Sequence, residues 1–306
     1  MINGALEKKI RKEGFRGNIR QQIPMRELTS FRIGGPADLI LFPSCVKDLQ
    51  MVMNLLVQEG LKALPLGNGT NILVSDRGVR EPLISLSHGF GEISREGTKV
   101  TAGGGLGLAQ LLRFCIDCAL IGLETLAGIP GTVGGGIKMN AGIQGTEIGD
   151  IVSSLMIMGS SGQINWLKGE EIHFGYRSID LPRETIILQG EFSLQKGKAK
   201  DIKERMEAIL RTRRKTQPLS LPSAGSIFRN PRGIPAGQLI EELGLKGFRI
   251  GDAMVSTVHA NFIVNLGAAC AKDVIGLIDV IRERVYQERG ITLELEVEII
   301  GEHDLV

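Results

Sequence analysis

Two glycine-rich stretches and three polar side chains are where this sequence could do chemistry. PLGNGTNILVSD (65–76) sets Gly67 and Gly69 between two apolar runs, and LAGIPGTVGGGIKMNAG (126–142) holds six glycines in seventeen residues, with Pro130 and Thr132 among them. Turns without Cβ atoms let backbone N–H groups come close to a bound anion. Ile129, Val133, Ile137 and Met139 would pin the second stretch to a core, which a flexible linker would not need. Two separated loops of this kind suit a dinucleotide pyrophosphate met by oriented amides, while tight turns packed on a sheet are the simpler reading of either loop alone. SFRIGGPA at 30–37 adds a further glycine pair and favours binding.

Ser226 lies in PSAGSIFRNP, between Pro222, Gly225 and Pro231, where a hydroxyl is either held fixed for a ligand or caps its own backbone. Arg177 follows Tyr176 in HFGYRSI, and its guanidinium is either a solvated charge or the fork that a carboxylate or phosphate needs. Glu296 sits in LELEVEII, where alternation turns Leu295, Val297 and Ile299 one way and Glu294, Glu296 and Glu298 the other. Three glutamates on one face normally mean solvent.

Competing chemistries lack their residues. No G-x-x-x-x-G-K-[ST] occurs, and GGGLG at 103–107 has Gln110 where the third glycine of a dinucleotide fingerprint belongs. His88, His173, His259 and His303 show no metal-ligand spacing, and H-E-x-x-H and G-x-S-x-G are absent, so neither a metal site nor triad hydrolysis is expected. Cys115 and Cys118 form one C-x-x-C inside an amphipathic run, which reads as packing. With Cys45 and Cys270 they are too scattered for a disulfide framework and agree with a reducing, cytoplasmic compartment. A net charge of +2 leaves no footprint for a nucleic-acid partner, and no run approaches the ~18 apolar residues of a spanning helix, so no membrane partner is expected.

The elements that must position these groups follow from periodicity. The spacing predicts a helix over 46–59 with Ser44 as N-cap, and a helix-like run LGLAQLLRFCIDCALIG. Strands are predicted at 151–158, 164–167 and 186–194. A charged helix follows at 200–215, with Asp201 and Glu204 in capping-box positions. Beyond it come helices at 236–243 and 271–289, the latter ended by Gly290, a strand at 260–266, and the strand TLELEVEII of strict period two. The 306 residues suit about two domains, with a boundary near 200.

Taken in order, TSFRIGGPADL, PLGNGTNILVSD, AGIPGTVGG with MNAG, YRS, QPLSLPSAGSIFRNP, VHANFIVN and LEVEIIGE resemble the UDP-N-acetylenolpyruvoylglucosamine reductase (UDP-N-acetylmuramate dehydrogenase) family over residues 29–302. The resemblance implies an α+β chain: a two-subdomain FAD-binding fold of the vanillyl-alcohol-oxidase (PCMH) type plus a C-terminal α/β substrate domain. It divides the chain into an N-terminal extension (1–28), an FAD-binding domain (29–198, split near 95) and a substrate-binding domain (199–306). It implies noncovalent FAD, NADPH as electron donor, and UDP-N-acetylglucosamine enolpyruvate as a small-molecule substrate in peptidoglycan precursor synthesis. Carried over residue by residue, Ser226 donates a proton while Arg177 and Glu296 stabilise the enol-like intermediate. Gly67, Asn68, Gly69, Thr70 and Asn71, with Gly128, Ile129, Pro130, Gly131, Thr132, Val133 and Gly134, face the FAD pyrophosphate, and Tyr176, Gln217, Asn230 and His259 face the nucleotide sugar.

The chain resembles the shorter branch of that family, since about two dozen residues separate Arg177 from the helix at 200. It departs from the pattern in GGGIKMNAGIQGTEIG, where a tyrosine or second glycine pair is expected after MNAG, and at Glu298, where a basic residue is common. A flavin oxidase on the same fold and a flavin-free nucleotide-sugar binding protein are the alternatives. No histidine or cysteine in the glycine loops could tether a flavin, and the three catalytic candidates are all present.

Overall fold

The computed structural model describes residues 4–143 and 145–302. Gln144, within the departing glycine segment, and His303 lie outside the described residues, as do the first three residues of the N-terminal extension. The chain folds as two compact units, neither continuous in sequence: the first takes the chain up to Gln21, Asp38–Asn68 and Glu81–Arg211, and the second takes Gln22–Ala37, Gly69–Arg80 and Thr212 onward.

The first unit has two cores. One gathers Leu6, Ile10 and Phe15 with Leu39, Leu41 and the inner face of a helix, Val46–Gln58. The residues at 49, 52, 53 and 56 of that helix recur at the three- and four-residue spacing of one buried stripe. Its N-cap is Cys45, not Ser44. Ser44 stands one residue earlier and engages Asp48, whose carboxylate also accepts the Ser44 amide at 3.2 Å. Beside this helix, Leu83–Ser85 lies between Pro36–Phe42 and Leu64–Leu66 and is parallel to both. The second core is covered by a five-stranded antiparallel sheet in the order Ile164–Lys168, Val152–Met158, Ile186–Ser193, Lys99–Gly103, Ile93–Glu96. The helix Leu108–Asp117 and a short helix, Val133–Lys138, pack on it through Leu111, Cys115, Val133 and Ile137, while Met139 stays outside that cluster. Burial pushes the Cys115 thiol up to about 12, with Cys118 and Glu124 adding, so it stays protonated and serves packing.

The charged helix runs Ala199–Thr216, three residues longer at its start than a cap at Asp201 allows, which puts Asp201 inside the first turn. Buried Ile202, partly buried Met206 and the Arg205–Glu124 ion pair at 3.3 Å bind most of this helix to the first unit. Glu81–Arg211 thus groups with the first unit and Thr212 onward with the second.

The second unit has a single large core around the helix Ala271–Arg289, closed by Gly290 at φ +64°, with the helix Ala236–Glu242 and the antiparallel strands Arg249–Ile250, Ala253–Val255 and Ile263–Asn265. Phe31, Ile33 and Leu73 belong to this core, and Glu298–Ile300 pairs in parallel with Ile72–Val74. That burial is why two early segments group with the C-terminal residues.

Asp76, the last residue of the first glycine motif, closes the long helix: its carboxylate accepts the amides of Ala271 at 2.8 Å and Lys272 at 3.0 Å. These are donors without partners inside the helix. Asp76→Ala is expected to lower stability by about 1–2 kcal/mol, read as a lower urea midpoint at unchanged slope, with Asp76→Asn losing less. No helix among the described residues is long and apolar enough to cross a membrane.

Candidate active site

Ser226 and Glu296 are brought onto adjoining backbone in the second unit. Ser226 pairs with Phe262, and Phe228 pairs with Leu295, in single antiparallel bridges. Between them the Ile227 carbonyl accepts the amides of Glu296 at 2.8 Å and Val297 at 3.4 Å. Two donors on one acceptor break the expected alternation: Leu293, Val297 and Ile300 are buried, and regular pairing is confined to Glu298–Ile300. Glu296 sits at the break and is half-buried, whereas Glu294 and Glu298 are exposed. The solvent reading of the three glutamates therefore holds for the outer two.

The serine segment is held by an asparagine that periodicity could not single out. Asn261, 3% exposed, accepts the Phe228 amide at 3.0 Å, donates to the Phe228 carbonyl at 2.8 Å, and takes the Ile227 amide on its own carbonyl at 2.9 Å. Among the described residues no protein group hydrogen-bonds the Ser226 hydroxyl, so the self-capping reading does not hold. Asn71 fixes the other side, donating from Nδ2 to the Glu296 carbonyl at 3.0 Å and accepting the Glu298 amide at 2.9 Å. Its side-chain amide is thus part of the scaffold under Glu296 as well as part of the glycine motif.

The loop Gly128–Gly134 lies in the first unit. Leu108 donates to the Gly131 carbonyl at 3.0 Å and Val133 to that of Leu106 at 2.7 Å, so Gly107 and Thr132 face each other between those bonds. In such a pair the amides point away from the partner strand. Among the described residues the amides of Gly128, Gly131 and Thr132 meet no protein acceptor, although Thr132 is 6% exposed. Gly128 and Gly131 turn the chain at φ +76° and +146°. The Thr132 hydroxyl accepts the Gly135 amide at 3.2 Å, while Ile129 is partly buried and Pro130 exposed. A Cβ on Gly67 would stand 3.2 Å from that same hydroxyl, so the two glycine motifs approach each other here. Outward amides with no side chain in the way fit a phosphate-bearing cofactor. Asn68 is exposed beside Gly67, and the division between the units falls after it; Gly69 is buried and Thr70 half-buried in the second unit. The SFRIGGPA segment is different: Cβ atoms on Gly34 and Gly35 would meet Val74 and Asp76, so these glycines serve close packing.

Arg177 also stands in the first unit, on the two-residue turn between Phe174–Gly175 and Ser178–Ile179. Its guanidinium lies 5.4 Å from the Tyr176 ring centre and 3.6 Å from the Glu147 carboxylate. Asn140, Glu147, Phe174 and Tyr176 line a cavity of about 480 Å³.

The remaining expected substrate contacts all have structural partners. Asn230 accepts the Ala236 amide at 3.0 Å and so caps a helix, and Gln217 donates its amide to Arg213 at 2.9 Å at the end of the charged helix. His259 packs edge-on against Phe262 at 5.0 Å, and its Nδ1 accepts the Asn261 amide at 3.2 Å. Burial, helped by the charge of Lys246, holds the imidazole below the usual histidine range. Among the described residues no group of three or more His, Cys, Asp or Glu side chains is placed to hold a metal ion.

Residues 37–168 match the FAD binding domain family, and residues 217–300 match the family described as UDP-N-acetylenolpyruvoylglucosamine reductase, C-terminal domain. The chain is 44% identical to a UDP-N-acetylenolpyruvoylglucosamine reductase of Heliobacterium modesticaldum, covering 94% of this chain and 92% of that one. It is 39% identical to the Bacillus subtilis protein of the same name, covering 93% and 95%. A crystal structure of the Thermus caldophilus reductase superimposes with a TM-score of 0.80 at 37% identity, over 94% of this chain and 99% of that one. With an FAD-binding domain followed by this C-terminal domain, and relatives matched over nearly their whole length, the chain belongs to the UDP-N-acetylenolpyruvoylglucosamine reductase family of oxidoreductases.

Proposed function

We propose that this protein catalyses the NADPH-dependent, FAD-mediated reduction of UDP-N-acetylglucosamine enolpyruvate to UDP-N-acetylmuramate, a step of peptidoglycan precursor synthesis. The observation that carries the reading is the Ser226–Glu296 pair, set on adjoining backbone by Asn261 and Asn71 in the part of the chain that matches the reductase C-terminal domain. FAD, when bound, would supply the hydride chemistry, carrying a hydride from NADPH to the methylene carbon of the enolpyruvyl group.

What the chain adds is charge and a proton. Hydride arrival leaves an electron pair at the carbon next to the carboxylate. The Ser226 hydroxyl, protonated at neutral pH, gives its proton to that carbon and recovers one from solvent, which completes reduction of the double bond. Arg177 offers positive charge to the carboxylate, and Glu296 holds the enol form by hydrogen bonding to its oxygen. The amides of Gly128, Gly131 and Thr132, with Gly67 and Asn68, would hold the FAD pyrophosphate, and Tyr176, Gln217, Asn230 and His259 are the candidates for contacts to the nucleotide sugar.

An absorbance spectrum followed through anaerobic additions tests this. The flavin band should bleach with NADPH and return on adding the enolpyruvyl sugar. Return with air alone, at the rate of catalysis, would point to an oxidase instead, and a protein that cannot be loaded with FAD would sink the proposal.

A further inference from the structure

Arg177 sits at the second corner of its turn with φ +54°, in the left-handed region where glycine or asparagine is the usual choice. An arginine kept in a disfavoured conformation suggests that its placement matters more than the ease of the turn. The groups around it are arranged to hold it. Glu147, at the end of the strand Thr146–Glu147, sets Oε1 3.6 Å from Arg177 Nη1, with the two side chains 17% and 19% exposed. Its other carboxylate oxygen accepts from Asn140 Nδ2 at 2.9 Å. The same amide nitrogen donates to the Gly175 carbonyl at 3.0 Å, two residues before Arg177, and Asn140 Oδ1 accepts the Gly149 amide at 3.0 Å. One buried asparagine thereby fixes the hairpin backbone and the carboxylate together. Asn140, Glu147 and Tyr176 line the same cavity, so the carboxylate side of the ion pair borders open space rather than a sealed core.

We propose that Glu147, oriented by Asn140, is a positioning residue for Arg177, fixing the direction in which the guanidinium meets the substrate carboxylate. Glu147 touches Arg177 and not the reacting atoms. Arginine has a long, freely rotating stem, and a carboxylate held at one edge of the fork restricts it before substrate arrives, so less freedom is lost on binding. The inference rests on the role given to Arg177 above.

Glu147→Gln keeps the length and an oxygen for Asn140 but removes the charge. In the FAD-loaded protein, bleaching by NADPH should stay within about twofold of the parent while reoxidation by the enolpyruvyl sugar slows about tenfold to a hundredfold. Equilibrium binding to the oxidised protein gives a readout independent of turnover: the preference for the enolpyruvyl sugar over UDP-N-acetylglucosamine, which lacks the carboxylate, should fall about tenfold. Glu147→Asp, with the charge on a shorter arm, should recover part of both losses. In an Arg177→Lys background Glu147→Gln should add little. Unchanged reoxidation and unchanged preference in Glu147→Gln, or losses that multiply in the double variant, would overturn the proposal. If the parent protein itself fails to be reoxidised by the enolpyruvyl sugar, the functional reading falls first, and the inference with it.

Discussion

Ser226→Ala is expected to slow reoxidation of the reduced flavin by the enolpyruvyl sugar by about 10²–10⁴-fold and to leave reduction by NADPH within about twofold. The asymmetry follows from where the hydroxyl acts. A proton at the carbon next to the carboxylate is needed only after hydride has reached the sugar, so the first half-reaction has no use for it. The substitution is also clean in structural terms. Ser226 lies on an extended segment held by main-chain pairing with Phe262 and, through Ile227 and Phe228, by Asn261. Alanine can adopt the same backbone, and among the described residues no hydrogen bond of the fold is lost with the hydroxyl. The variant should therefore keep its melting temperature and its flavin. Rapid-mixing absorbance in the two half-reactions checks it: equal slowing of both would remove the proton-donor role from Ser226.

Much of the scaffold is legible in local sequence pattern. Strands near 152–158, 164–168 and 186–193, and the helix 271–289 with its glycine stop, are written in short-range alternation and capping that survive into the fold. The strand around Glu296 escapes such a reading because its irregularity has a distant cause, the Ile227 carbonyl that takes both the Glu296 and Val297 amides. That the two units are discontinuous in sequence escapes it for a similar reason. Which unit Gln22–Ala37 and Gly69–Arg80 join is decided by burial of Phe31, Ile33 and Leu73 among C-terminal residues, and nothing local to those segments announces it.

The site divides along the same line. Ser226, Arg177 and the glycine loops stand out as residue types in suggestive settings, whereas Asn261, Asp76, Asn140 and Glu147 do not. Asparagine and aspartate look like turn formers in a sequence, and their partners lie 7 to 196 residues away. The signal that could find them is that each falls inside a family motif or its departing extension: Asp76 in NILVSD, Asn261 in VHANF, Asn140 and Glu147 in MNAGIQGTE. A motif residue whose type suits a turn is a candidate tether for the neighbouring catalytic residue.

Gly67→Val is expected to yield a folded protein that purifies with little flavin, its affinity for FAD lowered about 100-fold or more. The reasoning begins with the backbone. Gly67 is not among the residues at positive φ, so a side chain there meets no conformational bar. It meets space that another group needs: its Cβ would stand 3.2 Å from the Thr132 hydroxyl, which already accepts the Gly135 amide at 3.2 Å. The methyl groups of valine would reach toward the outward amides of the 128–134 loop, where a pyrophosphate is proposed to lie. Gly67 is exposed, so the added methyls burden no core and the flavin-free melting temperature should move little. The difference should appear when FAD is added. A parent protein at a hundredfold excess of ligand over its dissociation constant gains about 2.7 kcal/mol, and the variant should gain a fraction of that. Gly67→Ala, with one methyl against the hydroxyl, should fall between the two. A valine variant that keeps a full flavin complement would separate Gly67 from the cofactor and leave the amides of Gly128, Gly131 and Thr132 to be explained by packing alone.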